Sequence, residues 1–317
     1  MPSSKQIKND LIYFAARILM VLLESLPRDM ALKLGGMIGE IAALLDGKER
    51  RLAEVNLSRV YGDRWADEKI KLVARECFVQ IARNATDAIR SQNWTADDLA
   101  ELVTIEGMEH FDKAYAQNKG VIVITGHIGN FELSAAWFAA VKRVPVSVIG
   151  RKLYDERFDR LVIENREKFG MENIPSDASA KRIYSALKQG RVLGILMDLD
   201  SSRVAGQFVP FFGVPARTAA GPVVIGRHTG SPVVPIAMFR TENDQYLIKI
   251  LPSFDLPNTD DKEADIMNGL LMCNHALETL IEFDPTQWIW IHNRWRSKPT
   301  AEENVKTSWE DMDFSKE

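Results

Sequence analysis

From Gly120 onward the chain alternates short β-branched runs with stretches of helical periodicity, and this alternation limits the fold more than any other feature. The β-rich runs are residues 121–125, 144–149, 192–197, 233–239 and 246–251. Helical patterns fall at 132–140, 156–169, 179–188, 219–227 and 262–283. Runs such as VIVIT and VLGILM lack the polar alternation of a strand with one wet face, so both faces of the sheet must be covered. The intervening helices supply that cover, which makes the fold class α/β: a largely buried sheet with helical faces. No internal repeat suggests a solenoid.

Upstream, the chain reads as helical. Residues 8–45 hold two apolar helical segments split by Leu26-Pro27-Arg28-Asp29. Arg17 and Glu24 interrupt the first, LIYFAARILMVLLESL, and the second is ALKLGGMIGEIAALL. Neither forms the run of ~20 mostly apolar residues that a membrane span needs. Two readings lead, a buried core helix and an amphipathic helix lying in a lipid interface, and a full span is less favoured than either. No secretory leader is clear. The cluster Lys48, Arg50 and Arg51 suits anionic lipid, and equally a solvated helix start. Helical spacing continues through 49–95, Thr95-Ala-Asp-Asp has the form of a helix cap, and a short strand is expected at 103–105. The expected divisions are N-terminal amphipathic or membrane-associated helices (1–48), a main domain with a helical entry region (49–298), and an acidic, loosely ordered tail (299–317).

A formal net charge of −4 supplies no global basic field for nucleic acid, and the Lys and Arg clusters are not interleaved with aromatic platforms. Two cysteines, Cys77 and Cys273, do not suggest a disulfide framework.

The chemistry concentrates in VIVITGHIGNFE, residues 121–132. A strand ending in Thr-Gly-His puts His127 in a strand-to-helix loop, the usual active edge of an open α/β sheet. Asn130 is a good helix N-cap, which places Glu132 in the first helical turn. On one regular helix, residues five apart point roughly 140° apart, so His127 and Glu132 meet more easily with the histidine in the loop. A carboxylate on one ring nitrogen fixes the tautomer and leaves the other nitrogen as a base for a hydroxyl. A hydrogen-bonded turn histidine beside a capping glutamate accounts for the same residues structurally. Thr125 and Ser134 lack the flanks of a nucleophile elbow, and the spacing is not that of a zinc-binding helix.

The segment GHIGNFE resembles the H-x4-D/E motif of the lysophospholipid acyltransferase superfamily. The amphipathic N-terminus, the Arg-rich second block, the stretch DLDSSRVAGQFVPFFGVPARTAAG and the closing QWIWIHNRW follow in an order similar to that of the lipid A biosynthesis late acyltransferases, the lauroyl and myristoyl transferases. The resemblance implies a glycerolipid acyltransferase-like fold, with a mixed central sheet flanked by helices and a helical N-terminal membrane-associated segment. It implies transfer of an acyl chain from an acyl carrier protein thioester to a hydroxyl of a lipid A precursor, with no metal or other cofactor. It places the protein at a membrane surface, on the cytoplasmic face of the bacterial inner membrane. His127 becomes the general base and Glu132 its orienting partner, with direct attack on the thioester and no acyl-enzyme. Backbone N–H groups near Gly129 are one option for the oxyanion donor. Other readings are the same chemistry on a lysophospholipid or a glycosylated phospholipid, a hydrolase with water as acceptor, and a non-enzymatic membrane-associated protein.

Further residues follow from position and from the resemblance. Arg151 directly follows Val-Ile-Gly at a strand end, and Arg166 matches an arginine that the family uses near its pocket; either guanidinium suits a phosphate. Asp198 ends an apolar strand, where a carboxylate needs a partner, and the resemblance pairs it with Arg166. Asp200 is secondary. The resemblance makes Phe211, Phe212 and Gly213 a wall of the acyl or acceptor channel, while an aromatic turn packed on the core is the structural reading. Trp288, Trp290 and Trp295 suit an amphipathic belt, His292 suits packing or interfacial contact, and Arg294 and Arg296 suit either phosphate or solvent.

Overall fold

The computed structural model describes residues 4–201 and 204–300. The N-terminal part is helical: α1 (Ser4–Ser25), α2 (Arg28–Leu45), α3 (Gly47–Tyr61), α4 (Asp67–Arg90) and α5 (Ala96–Glu101). Strand and helix then alternate through β1 (Val103–Glu106), α6 (Met108–Tyr115), β2 (Val121–Thr125), α7 (Phe131–Ala140), β3 (Val146–Gly150), α8 (Glu156–Lys168), β4 (Glu172–Pro175), α9 (Ala180–Lys188) and β5 (Val192–Leu196). A hairpin, β6 (Gly206–Phe211) and β7 (Val214–Ala219), precedes α10 (Gly221–Thr229), β8 (Val233–Arg240), β9 (Tyr246–Ile250) and α11 (Lys262–Phe283).

The main sheet has seven strands in the order β1-β9-β8-β2-β5-β3-β4. It is mixed, with β8 and β9 antiparallel and the other pairings parallel. The central strands carry the longest buried runs; every residue of β8 is buried. One core lies between the sheet and α4, α10 and α11 and takes in Trp288, Trp290 and Trp295, while the other lies under α6 and α7. Three strands depart from the sequence expectation. The edge strand β4 is short and ends in Pro175, and β6 and β7 pair Pro210 with Pro215, so their prolines read as turns.

The geometry at this edge of the sheet follows from register. β2 and β5 are parallel neighbours with Thr125 opposite Leu196, so the residues two positions beyond each strand, His127 and Asp198, overhang the same edge together.

At the N-terminus, α2 buries Ala31, Leu32, Gly35, Gly39 and Ala43, and its glycines lie directly against α4. The outward faces are apolar: Leu11, Phe14, Ile18 and Val21 of α1 and Met37, Ile41, Leu44 and Leu45 of α2 are all exposed. The expected placement on the cytoplasmic face of an inner membrane is corrected here. Among the described residues, no helix is long and apolar enough to cross a membrane. The reason lies in the charges: Lys8, Asp10, Arg17 and Glu24 interrupt α1, and Asp29, Lys33 and Glu40 interrupt the 18 residues of α2. Most of the acidic tail, residues 301–317, lies outside the described residues.

Candidate active site

The His127 turn is held from three sides. Asn130 caps α7, its side-chain oxygen accepting from the Leu133 N–H at 3.3 Å. Its amide donates to the Asn84 carbonyl and to the Tyr246 hydroxyl. Tyr246 donates in turn to the buried Asp87 carboxylate, which also binds Arg240 at 2.9 Å and Arg28 at 2.7 Å. The cap of the site helix therefore rests on a buried ionic cluster that reaches α2. The backbone N–H of Gly129 donates to the Gln287 carbonyl at 2.8 Å, and that of Asn130 to the Met238 carbonyl at 2.9 Å. Gly129 has φ +53°, and a Cβ there would lie 1.8 Å from the Met238 oxygen, so the turn admits only glycine.

The N–H of Gly129 itself is given to Gln287 and fastens the turn to the C-terminal segment.

His127 and Asp198 form the central pair. His127 Nδ1 lies 2.9 Å from Asp198 Oδ1, and the His127 backbone N–H donates to Oδ2 at 2.7 Å. The Trp288 indole N–H donates to Oδ2 at 2.8 Å. Gly126 leaves room for this carboxylate, since a Cβ there would lie 2.9 Å from it. Burial works against the charged form of Asp198, but the His127 imidazole and the two N–H donors outweigh it and hold the carboxyl at about 2. An ionised carboxylate only accepts, so Nδ1 carries the hydrogen and Nε2 is the free ring nitrogen. Burial also disfavours the His127 imidazolium, yet Asp198 and then Glu132 keep its pKa above the ordinary histidine value.

The sequence expectation paired His127 with Glu132 and Arg166 with Asp198. The structure exchanges the partners. Glu132 is gripped by both arms of Arg166, Nη2 to Oε1 at 2.5 Å and Nε to Oε2 at 3.0 Å, and Asn173 fixes the remaining Nη1 at 2.6 Å. The cause is topological. Glu132 sits one residue inside α7 and faces the last turn of α8, whereas Asp198 follows the strand beside His127.

A polar cavity of about 820 Å³ opens in front of these groups. His127, Glu132, Arg151, Lys152, Arg166 and Asn173 contribute to its lining. Its size is that of a small-molecule site. A narrow apolar cavity of about 50 Å³ runs from Thr125, Phe131 and Arg166 into the interior beneath α7, past Val123, Val148 and Gly194 to Phe138 and Val192.

The aromatic residues fall behind the pair. Phe211 is fully buried, with its ring against Trp288 and Trp295. Phe212 begins the hairpin turn beside Tyr61 and Phe211. Phe211 thus packs behind Trp288, as the structural reading of this turn has it, while Phe212 stays half-buried beside Tyr61. Arg294 faces neither phosphate nor solvent; it is fully buried and donates to the Arg217 carbonyl and Thr218 hydroxyl at 2.7 Å each. Asp200 anchors Ser297 through the backbone N–H and the hydroxyl.

Sequence reasoning missed two close neighbours of the site. Trp288 was expected in an amphipathic belt with Trp290 and Trp295, but all three are buried, and the Trp288 N–H reaches the Asp198 carboxylate. His292 lies with its ring centre 5.5 Å from that of His127. Burial and the neighbouring His127 both keep His292 more readily neutral than an ordinary histidine. Only contact across the sheet, which spacing does not encode, identifies either residue.

Comparison with known proteins supplies a family. Residues 3–297 match the model for the bacterial lipid A biosynthesis acyltransferases. The chain is similar to the lipid A biosynthesis palmitoleoyltransferase of Escherichia coli, 24% identical over 282 residues that cover 88% of this chain and 89% of the relative. It is 25% identical to the lipid A biosynthesis lauroyltransferase of the same organism over 280 residues, again 88% and 89%. It is also similar to a phosphatidylinositol mannoside acyltransferase of Mycolicibacterium smegmatis, 26% identical over 243 residues, 75% of this chain and 78% of that one.

Proposed function

This chain belongs to the bacterial lipid A biosynthesis acyltransferase family and is an acyltransferase acting on lipid, and from that premise we propose that it moves a fatty acyl chain from an acyl carrier protein thioester to a hydroxyl of a phosphorylated glycolipid. The observation that carries the mechanism is the His127 Nδ1 to Asp198 contact of 2.9 Å at the rim of the polar cavity. Asp198 holds the ring tautomer, and Nε2 takes the proton of the acceptor hydroxyl. The oxygen then attacks the thioester carbonyl, the C–S bond breaks, and the departing sulfur receives the proton from the imidazolium. The products are the ester and the free thiol. Glu132 acts through charge on His127 and by holding Arg166 at the cavity, where Arg151 and Arg166 meet phosphate. The exposed apolar faces of α1 and α2 rest on the lipid aggregate that presents the acceptor, with residues 1–48 as the segment responsible.

Two acceptors fit this chemistry. A lipid A precursor is the acceptor suggested by the palmitoleoyl and lauroyl transferases, and a glycosylated phosphatidylinositol by the mannoside acyltransferase. Both present hydroxyls beside phosphate on a lipid. Initial-rate assays with purified acyl carrier protein thioester and each acceptor in turn, read by lipid mass spectrometry, separate them. Ester formation on one acceptor is expected. Thioester hydrolysis without ester formation contradicts the transferase mechanism, and accumulation of an acyl-enzyme contradicts direct attack.

A further inference from the structure

A third cavity lies outside the catalytic edge. It has a volume of about 590 Å³ and sits between α1, α4 and α8. Ile12 and Met20 of α1, Ala88 of α4, and Phe158 and Leu161 of α8 contribute to its apolar lining. Its size suits a sizeable apolar ligand. It is built as a groove under a strap. α1 crosses it and is fastened to α8 by Arg157, which binds Asp10 at 2.7 Å and lies over the Tyr13 ring at 4.1 Å. Tyr13 in turn packs on Phe158.

Two continuities identify the occupant. At one end, Glu132, Leu153 and Val162 line both this groove and the polar cavity that holds His127 and Arg166. At the other, the helix that roofs the groove turns Leu11, Phe14 and Ile18 outward, at 66%, 63% and 71% exposure. A ligand whose polar head lies at Arg151 and Arg166 can therefore run its apolar part directly under α1. The narrow cavity beneath α7 is lined instead from the sheet layer, by Val123, Val148, Val192 and Gly194, and is reached from Thr125 and Phe131.

We propose that the groove between α1, α4 and α8 binds an alkyl chain of the lipid acceptor, separately from the donor's acyl chain. The assignment to the acceptor rests on the acyl transfer proposed above. A lipid acceptor comes from an apolar phase, and this groove is roofed by the exposed apolar helix. A donor carried by a soluble protein needs no such route. Burying an alkyl chain contributes about 0.8 kcal/mol per methylene, so the groove supplies affinity for the acceptor without touching the reacting atoms. α1 then serves as a wall of the binding site as well as a surface for lipid.

The test is photolabelling with dodecyl phosphate carrying a diazirine on its chain, followed by peptide mapping of the full-length protein. Cross-links are expected on residues 12–20, 85–92 and 153–162. Filling the groove with Ala85→Trp and Ala88→Phe should weaken labelling there by about tenfold or more, the equivalent of losing roughly two methylene contacts. Leu161→Trp fills it from the other wall and gives the same result if the α4 variant folds poorly. Labelling confined to the cavity beneath α7, or unchanged labelling of α1 in both filled variants, overturns the proposal. The readout needs no turnover. A protein that labels in the groove but transfers no acyl group counts against the proposed reaction alone, whereas an active enzyme that labels elsewhere counts against the groove alone.

Discussion

The turn at residues 126–132 and the helix α1 are built on opposite principles. In the turn, His127, Gly129 and Asn130 each give their backbone N–H to a fixed acceptor, and Asn130 is tied to a buried cluster of Asp87, Arg28, Arg240 and Tyr246. In α1, Leu23 is the buried hydrophobe, and the row Leu11, Phe14, Ile18 and Val21 faces outward. A base needs its geometry fixed within a fraction of an ångström, because misplacement costs rate steeply. A helix with the lipid contact proposed for α1 needs apolar area that can adapt to chains of any arrangement. The contrast predicts that substitutions in the turn act on turnover and substitutions in α1 act on acceptor binding.

The largest effect is expected for His127→Ala. Initial rates should fall by about 10²- to 10⁴-fold, while the melting temperature falls by no more than roughly 8 °C. A folded His127→Ala protein with near-wild-type turnover breaks the contrast at its centre. Asp198→Asn comes next, because the amide can present the wrong hydrogen-bonding face to Nδ1; its loss should appear in kcat with little change in acceptor KM.

The exchanged ion pairs give a smaller effect with a sharper reading. Losses from Glu132→Gln and Arg166→Ala should be non-additive by about 0.5–3 kcal/mol in a double-mutant cycle, whereas Arg166→Ala and Asp198→Asn should combine nearly additively. The reverse pattern restores the pairing expected from sequence. The smallest effect on turnover should come from Leu11→Ser, Phe14→Ser and Ile18→Ser together. Vesicle co-sedimentation should weaken and KM for lipid-presented acceptor should rise, with kcat unchanged. A fall in kcat alone, with vesicle binding intact, puts α1 on the wrong side of the comparison.

Much of this arrangement was legible in the sequence because it is local. The strand ending in Thr-Gly-His, the Asn130 cap and the position of Glu132 at the start of α7 all depend on neighbours within a few residues. The partner of His127 was not legible in the same way. Asp198 meets it only because β5 lies beside β2, and strand order is a property of the whole sheet. Trp288 and Gln287 reach the turn from a segment about 160 residues further along the chain, so local spacing does not reveal either contact. For α1, periodicity revealed an apolar face but not which neighbour leaves it uncovered.

The central claim is that His127, poised by Asp198, is the base, and the pH dependence of kcat/KM in the wild type and in Asp198→Asn tests it most directly. The reactive form is the neutral imidazole, so activity should rise with pH through the His127 pKa. In the wild type that rise should lie above the ordinary value of about 6.5, because Asp198 and Glu132 favour the imidazolium more than burial opposes it. Asp198→Asn removes the stronger of these two influences. The acid limb should then move to lower pH, on a profile of reduced height. An acid limb that stays at the same pH in both proteins contradicts the account.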